Sequence, residues 1–463
     1  MRKSLRIIAI TAGLALLSAV LLAVILPHLL DPNAYKDRIS ALVKARTGHE
    51  LIIDGDIKLS LLPWLALEVS RVQLSNAPGF DATPLLRAGH GALRIKLLPL
   101  LLQQKVELDQ ISLDDVVVHL QRDAQGQGNW RGFAGTSAAP SAGGNAPEMK
   151  SSAALALLQL GKVELHNARA DWDDRRAGRY YQFSDINVIT TRYTPGRPFT
   201  IDLQFAVSPA RDAPSWPVRL LATVNADPAA QHYTLDKAKL TLGPIQGLTA
   251  RLISSADLDF ARQRLTLPDI ELRVADLKLT GQLQAQQILD NPDMRGVLRV
   301  AEFNPRPLLQ ALDKMPPHAE AGVLQRVSGS LELQAGRDQI VLKPLAVRLD
   351  DTAVSGELSV RNFTQPHWGF ALEVDTINVD RYFPPPAESP TSVTPSTPLP
   401  IEFLRRANVE GSIHIARLQG VRLRSSDVRL TIKSPTGAAP VPSASAQVYQ
   451  HPLLVRRDAA RSR

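Results

Sequence analysis

The chain has 463 residues, 44% apolar and 21% charged, with no cysteine, 34 prolines and few aromatics (11 Phe, 5 Trp, 7 Tyr). The missing cysteines exclude a disulfide framework, thiolate zinc or iron–sulfur sites and a thiol nucleophile, and the scarce aromatics argue against a base-stacking nucleic-acid binder. The net charge of +8 sits at the ends: Arg2, Lys3 and Arg6 give +3, and Arg456, Arg457, Arg461 and Arg463 against Asp458 give +3, which leaves +2 for 31–433. The pI of 9.7 therefore does not report a polyanion-binding surface.

From Ile7 to Leu26 run twenty residues without a charge, Leu14, Leu17 and Leu22 among them. As a helix they reach roughly 30 Å, the thickness of a bilayer core. Arg2, Lys3 and Arg6 precede them, so the positive-inside rule predicts a cytoplasmic N-terminus and a body beyond the membrane, in the periplasm of a bacterial cell. A cleaved signal peptide is the competing reading. It is disfavoured by the length of the apolar run and the lack of an A-x-A cleavage site. No second span follows, so the sequence predicts a single-pass protein.

Next comes DPNAYKDRISALVKARTG (31–48), with Asp31 and Pro32 suited to a helix start, Tyr35, Ile39, Leu42 and Val43 at helical spacing, and Gly48 as a stop. One amphipathic helix is predicted there. The period then changes to two: Ile57, Leu59 and Leu61; Leu65, Leu67 and Val69; Leu93, Ile95 and Leu97; Val116, Val118 and Leu120. Similar stretches continue to Ile432, which predicts a mainly β chain with one apolar face per strand. Residues 134–149 and the proline-rich 384–400 read as linkers. After Lys433 the alternation collapses into SPTGAAPVPSASAQ and an arginine-rich end, which reads as disordered and leaves an unpaired last strand near Val428–Ile432.

An internal repeat lies within the β region. LRVADLKLTGQL (272–283) and VRLDDTAVSGEL (347–358) superpose without a gap at an offset of 75, matching Asp276 with Asp351 and Gly281 with Gly356. Asn304 matches Asn378 at an offset of 74. Two such units suggest strands added serially along one axis. Leu272, Val274, Leu279 and Leu283, with Val347, Leu349, Val354 and Leu358, are the apolar positions they share, opposite Lys278, Thr280, Gln282, Ser355 and Glu357.

No chemistry-bearing motif emerges. The ten histidines are dispersed from His28 to His451 and read as solvated or turn residues. There is no phosphate-cradling glycine loop and no nucleophile elbow. Asp171, Asp173 and Asp174 precede RRAG, where a hairpin turn with solvated carboxylates is expected rather than a cation site, and Asp114–Asp115 and Asp350–Asp351 fall at strand ends. No catalytic activity, metal or cofactor is expected. The apolar faces admit two readings: an ordinary sandwich core, or a sheet curled around a groove that takes acyl chains.

The opening of the body, DPNAYKDRISALVKARTGHELIIDGDIKLSLLPWLALEVSRVQLSNAPGF (31–80), resembles the AsmA family of Gram-negative envelope proteins. So do LRIKLLPLL from Leu93, ISLDDVVVHLQRDAQGQGNW (111–130), LGKVELHNARADWDDRRAGRYYQFSDIN (160–187), FNPRPLLQAL (303–312), INVDRYFPP (377–385) and PIEFLRRANVEGSIHIARLQGVRLRSSDVRLTIK (400–433), in the family's order. The resemblance implies an inner-membrane-anchored periplasmic protein related to chorein-type bridge-like lipid-transfer proteins. It implies an elongated twisted β-groove, U-shaped in section, and a role in carrying phospholipid toward the outer membrane or maintaining its composition and assembly. It carries no catalytic residues. The implied partners are the inner membrane, phospholipid as cargo and other envelope proteins, not nucleic acid. The alternative is a non-enzymatic scaffold that influences outer-membrane protein assembly through contacts.

The expected organisation is an anchor over 1–30, a chorein-like helix and first strands over 31–133, a linker over 134–150, a repetitive β-groove over 151–383, a proline-rich linker over 384–400 and further strands over 401–433. The tail, 434–463, departs from the family pattern and reads as a truncated or frameshifted end.

Overall fold

The computed structural model describes residues 31–60, 65–96, 99–100, 103–104, 107–131, 161–316, 319–383, 408–420, 423–433 and 441–448. The expected membrane span, with Ile7, Leu14, Leu17, Leu22 and Leu26, lies outside these residues, as do the linkers. Among the described residues no helix is long and apolar enough to cross a membrane. The chain divides into two compact units, Met1–Pro244 and Ile245–Arg463, so the division falls inside the 151–383 segment.

The first unit starts where the caps require. The Asp31 carboxylate accepts the Asn33 N–H at 3.0 Å, a 3₁₀ turn covers Pro32–Tyr35, and helix α1 (Lys36–Thr47) follows. Gly48, at φ 76°, ends the helix by donating its N–H to the Lys44 carbonyl at 2.9 Å, the left-handed stop that glycine adopts without cost. The helix buries no residue: Val43 is half-buried, but Tyr35, Ile39 and Leu42 face solvent.

Eleven strands follow: β1 (Leu51–Ile53), β2 (Ile57–Ser60), β3 (Leu65–Leu74), β4 (Leu86–Ile95), β5 (Leu108–Asp114), β6 (Val117–Arg122), β7 (Lys162–Asp174), β8 (Arg179–Thr190), β9 (Phe199–Ser208), β10 (Trp216–Asp227) and β11 (His232–Ile245). β1 and β2 both pair with β3, β3 to β5 run antiparallel, and β5 and β6 lie parallel to β7. From β7 to β11 the sheet is antiparallel throughout. A line of irregular residues crosses it. Arg71, Asp115, Asn167 and Asp185 all adopt φ between 49° and 54°, and Gly89 donates to the Asp115 carbonyl at 3.2 Å. Each strand is interrupted there, which bends the sheet along one line. Three of the four non-glycine residues are Asp or Asn, the side chains that tolerate this conformation best.

The second unit holds β12 (Leu248–Asp259), β13 (Arg264–Val274), β14 (Leu277–Gln286), β15 (Asp293–Phe303), β16 (Val327–Ala335), β17 (Gln339–Leu349), β18 (Thr352–Arg361), β19 (His367–Asn378), β20 (Asn408–Gly420), β21 (Leu423–Lys433) and β22 (Val441–Val448), with short helices α2 (Arg306–Ala311) and α3 (Val379–Tyr382). Neighbours in sequence are antiparallel neighbours in space, except that β20 lies parallel to β19. The tail departs from expectation over Val441–Val448. That segment pairs antiparallel with β21, so Val428–Ile432 is not an open edge. Apolar alternation is not needed for such pairing, because an edge strand offers its own N–H and C=O groups to any extended backbone.

The repeat has a structural counterpart. β13 and β17 each carry a bulge at the same offset, Pro268–Asp269 and Lys343–Pro344, where two residues oppose Gln282 and Glu357 respectively. Gly281 and Gly356 lie beside these bulges, and a Cβ on either would overlap a carbonyl oxygen of the next strand, Val297 or Ala371. Asn304 and Asn378 cap α2 and α3, accepting the N–H of Arg306 at 3.0 Å and of Asp380 at 3.2 Å.

The matched aspartates, Asp276 and Asp351, are merely exposed turn residues. It is Asp350, expected only at a strand end, that organises this end of the unit. It is buried, and its carboxylate accepts the N–H groups of Leu324, Gln325 and Arg326 at 2.7, 2.8 and 3.1 Å and the Tyr382 hydroxyl at 2.9 Å. Around it Val323, Leu324 and Tyr382 form a buried cluster with Leu309, Met315, Leu349 and Ile377. Burial alone raises the Asp350 carboxyl, but the backbone N–H groups and the Tyr382 hydroxyl outweigh it and hold the group below the ordinary carboxylate range. Burial, reinforced by Asp350, pushes the Tyr382 hydroxyl up to about 12.

Two outcomes are expected. Asp350→Ala strands three N–H donors and a hydroxyl and lowers stability at pH 7 by about 3 kcal/mol in urea unfolding of the full chain. Because the folded carboxyl titrates below its unfolded value, that contribution is complete above the ordinary carboxylate range and is lost as pH falls through the lowered value; the gap between parent and variant therefore narrows on acidification. Gly356→Ala puts a side chain at φ 142° against the Ala371 carbonyl and costs more than about 2 kcal/mol in the same assay, with Gly281→Ala also destabilising.

Candidate functional site

Residue pairing in the second unit sorts side chains into two faces. One row of Cα partners runs Leu252, Leu272, Leu279, Val300, Gly329, Val347, Val354, Val374, Ile415 and Val428, across β12 to β21. The next runs Ile270, Gly281, Leu298, Leu331, Leu345, Gly356, Leu372, Ile413 and Leu430. A third runs Leu267, Leu283, Gly296, Leu333, Leu342, Leu358, Phe370, Gly411 and Ile432. Every member of these rows is apolar or glycine. At ~4.8 Å between strands, the first row covers roughly 40 Å.

All eight sequence-predicted groove positions belong to this face. Leu272, Leu279, Val347 and Val354 share the first row, and Leu283 and Leu358 the third. Val274 pairs with Leu277, and Leu349 with Val327. The opposite face carries Lys278, Thr280, Gln282, Arg299, Ser330, Ser355 and Glu357.

The apolar face is not a sealed core. Most of its side chains are half-buried, packed sideways against the same row on the next strand, and Trp368 at its edge is 52% exposed. Fully buried members such as Ala285, Ala335 and Leu345 are few. Among the described residues the buried cluster around Val323 and Tyr382 is confined to the end near Asp350. Positions that sequence reasoning missed include Leu298, Leu331, Leu345, Phe370 and Ile413. Their signal was present, but the apolar parity changes within β13, from Leu265 and Leu267 to Ile270, Leu272 and Val274, and within β17, from Ile340 and Leu342 to Leu345, Val347 and Leu349. Only the bulges show that both halves look the same way.

The acidic residues of the first unit are not the solvated carboxylates expected. The hairpin turn itself is there, between β7 and β8. Asp171 accepts the Tyr180 hydroxyl at 3.1 Å and the Gln182 amide at 3.0 Å and lies 2.9 Å from His119 Nδ1. Asp174 is buried and bonded to Arg122 at 3.2 Å. Asp81 receives Arg175 and Gln121, each at 2.6 Å, and the hydrogen bond from Arg175 holds its carboxyl below the ordinary range. Arg211 stacks over the Tyr180 ring at 4.4 Å from its centroid. Asp81, His119, Gln121, Asp171, Tyr180 and Arg211 line a cavity of about 180 Å³, and the hydrogen bonds around it cross-link segments distant in sequence. His49 also departs from expectation: it is 1% exposed, with Nδ1 2.9 Å from the Ser75 carbonyl oxygen and Nε2 3.2 Å from that of Arg131. Among the described residues no three acidic or histidine side chains are grouped to hold a metal ion.

Comparison with known proteins agrees with the resemblance seen in the sequence. Over 92 residues the chain is 35% identical to Protein AsmA of Escherichia coli (strain K12), a match that spans 20% of this chain and 14% of that protein. No solved structure matches significantly. The model of the AsmA family matches residues 1–396, and the chain belongs to that family.

Proposed function

We propose that the apolar face of the second unit binds phospholipid acyl chains, in a single-pass inner-membrane protein anchored by Ile7–Leu26 and oriented by Arg2, Lys3 and Arg6, with its body in the periplasm. The observation that carries this reading is the run of three apolar rows left half-exposed, without a second layer among the described residues. An ordinary sandwich core covers such rows with a facing sheet and drives their exposure toward zero. Here the first row stays half-buried from Leu252 to Val374, roughly 34 Å, beside the ~15 Å that half of a bilayer core needs for one set of acyl chains. The polar face keeps the outside of the sheet wetted. On this reading the protein carries out no covalent chemistry and needs no cofactor, and it serves outer-membrane composition and assembly by binding or conducting lipid.

A photo-crosslinking side chain at Leu279 or Val354 is expected to capture phospholipid in cells, while the same probe at Lys278 or Ser355 captures none. Equal capture on both faces, or none on either with the protein folded, favours a scaffold acting through protein contacts. Leu279→Asp places a charge among acyl chains at a cost of several kcal/mol. It is expected to abolish phospholipid retained in native mass spectra, with far-UV circular dichroism to establish that the sheet survives.

A further inference from the structure

Helix α1 shows its apolar stripe to solvent although it is fastened at both ends. At its start the Ile57 N–H donates to the Asn33 side-chain oxygen at 2.9 Å, and the Asn33 amide donates to the Ile57 carbonyl at 3.3 Å. At its end the Gly48 stop leads directly into His49, whose buried ring sits between the Ser75 and Arg131 carbonyls. One side of the helix (Lys36, Ser40, Val43, Thr47) is half-buried, and the helix packs beside β1. The adjoining side carries Tyr35, Ile39 and Leu42, exposed by 54%, 38% and 54%, in line with Arg46 and flanked by Arg38. Spacings of four and three residues put Tyr35, Ile39 and Leu42 on one stripe. Ordinary folding hides such a stripe; here rigid attachment holds it outward.

We propose that this stripe lies in the headgroup layer of the bilayer that holds the anchor, an inference that rests on the anchoring reading of Ile7–Leu26. Two observations select a membrane surface as the occupant. Asp31 follows Leu26 by five residues, which extended chain spans in at most ~18 Å, so α1 starts within reach of the surface at which the span ends. The charge also fits: α1 carries Lys36, Arg38, Lys44 and Arg46 against Asp37 alone, with the two arginines next to the apolar residues, a cationic excess that anionic lipid attracts. Contact there fixes the tilt of the first unit on the membrane.

The absence of native cysteine permits a clean test on the full chain. Leu42→Cys and Ala41→Cys, the latter exposed about 100° around α1 from Leu42, are each labelled with an environment-sensitive fluorophore and reconstituted into vesicles of phosphatidylethanolamine with phosphatidylglycerol. Spin-labelled lipid carrying its quencher near the headgroup is expected to quench the probe at position 42 at least ~2-fold more than at 41, since an interfacial helix buries its apolar face ~5–10 Å into that layer. Adding Arg38→Gln and Arg46→Gln, or omitting phosphatidylglycerol, should reduce the difference. Equal quenching at both positions in a chain that floats with the vesicles overturns this inference alone. A blue-shifted probe at 42 that lipid does not quench assigns the stripe to a second copy or another segment of the chain and overturns it as well. A chain that does not float with the vesicles overturns the anchoring reading and this inference together.

Discussion

One extra residue in each of two strands holds the apolar face of the second unit together. Side chains alternate across a strand with a period of two, so a strand of eleven residues with a change of apolar parity in its middle would send half of its leucines to each face. Pro268–Asp269 and Lys343–Pro344 prevent this by placing two residues opposite one. Leu267 and Ile270, and likewise Leu342 and Leu345, then look the same way. The bulged strand bends as it absorbs the extra residue, and the next strand must follow closely, which is why Gly281 and Gly356 stand beside the bulges with no room for a Cβ. Removing either device would scatter the apolar rows between the two faces.

A face built this way is stabilised differently from a core. Each apolar side chain gains from its neighbours in the row but keeps one side toward solvent, leaving part of the usual ~25 cal/mol per Å² unrealised. The backbone ladders and the end around Asp350 supply what a second layer, absent among the described residues, would otherwise add. There, one carboxylate gathers three N–H groups and a tyrosine hydroxyl and fastens the segment before β16 to α3. On the reading proposed above, the unrealised apolar burial is the free energy that an acyl chain would recover on binding.

The first unit spends its polar groups on geometry. Asp115, Asn167 and Asp185 hold the line along which its strands break, and Asp81, Asp171 and Asp174 are each answered by an arginine, a histidine or an amide. Carboxylates paired in this way brace the unit across segments distant in sequence. The same economy holds at α1, where Asn33 and His49 fix a helix whose Tyr35, Ile39 and Leu42 stay exposed.

The sequence by itself determined the elements that depend on neighbours along the chain. Asp31 and Pro32 start the 3₁₀ turn that leads into α1 and Gly48 ends α1 because caps are local, and period-two alternation located strands such as β3 and β14 because the pleat is local. The offset between Gly281 and Gly356 likewise announced a repeat, and with it Leu279 and Val354 as members of one face. Tertiary structure alone decided the rest, because it turns on pairing between distant segments. Nothing near Asp350 in the sequence reveals that Leu324 to Arg326 deliver their N–H groups to it while Asp351, the residue matched in the repeat, stays in solvent. Nothing in VPSASAQV reveals strand pairing, since its partner is the backbone edge of β21. The apolar rows required both kinds of information: alternation gave each strand a greasy side, and only the register across the bulges set those sides in line.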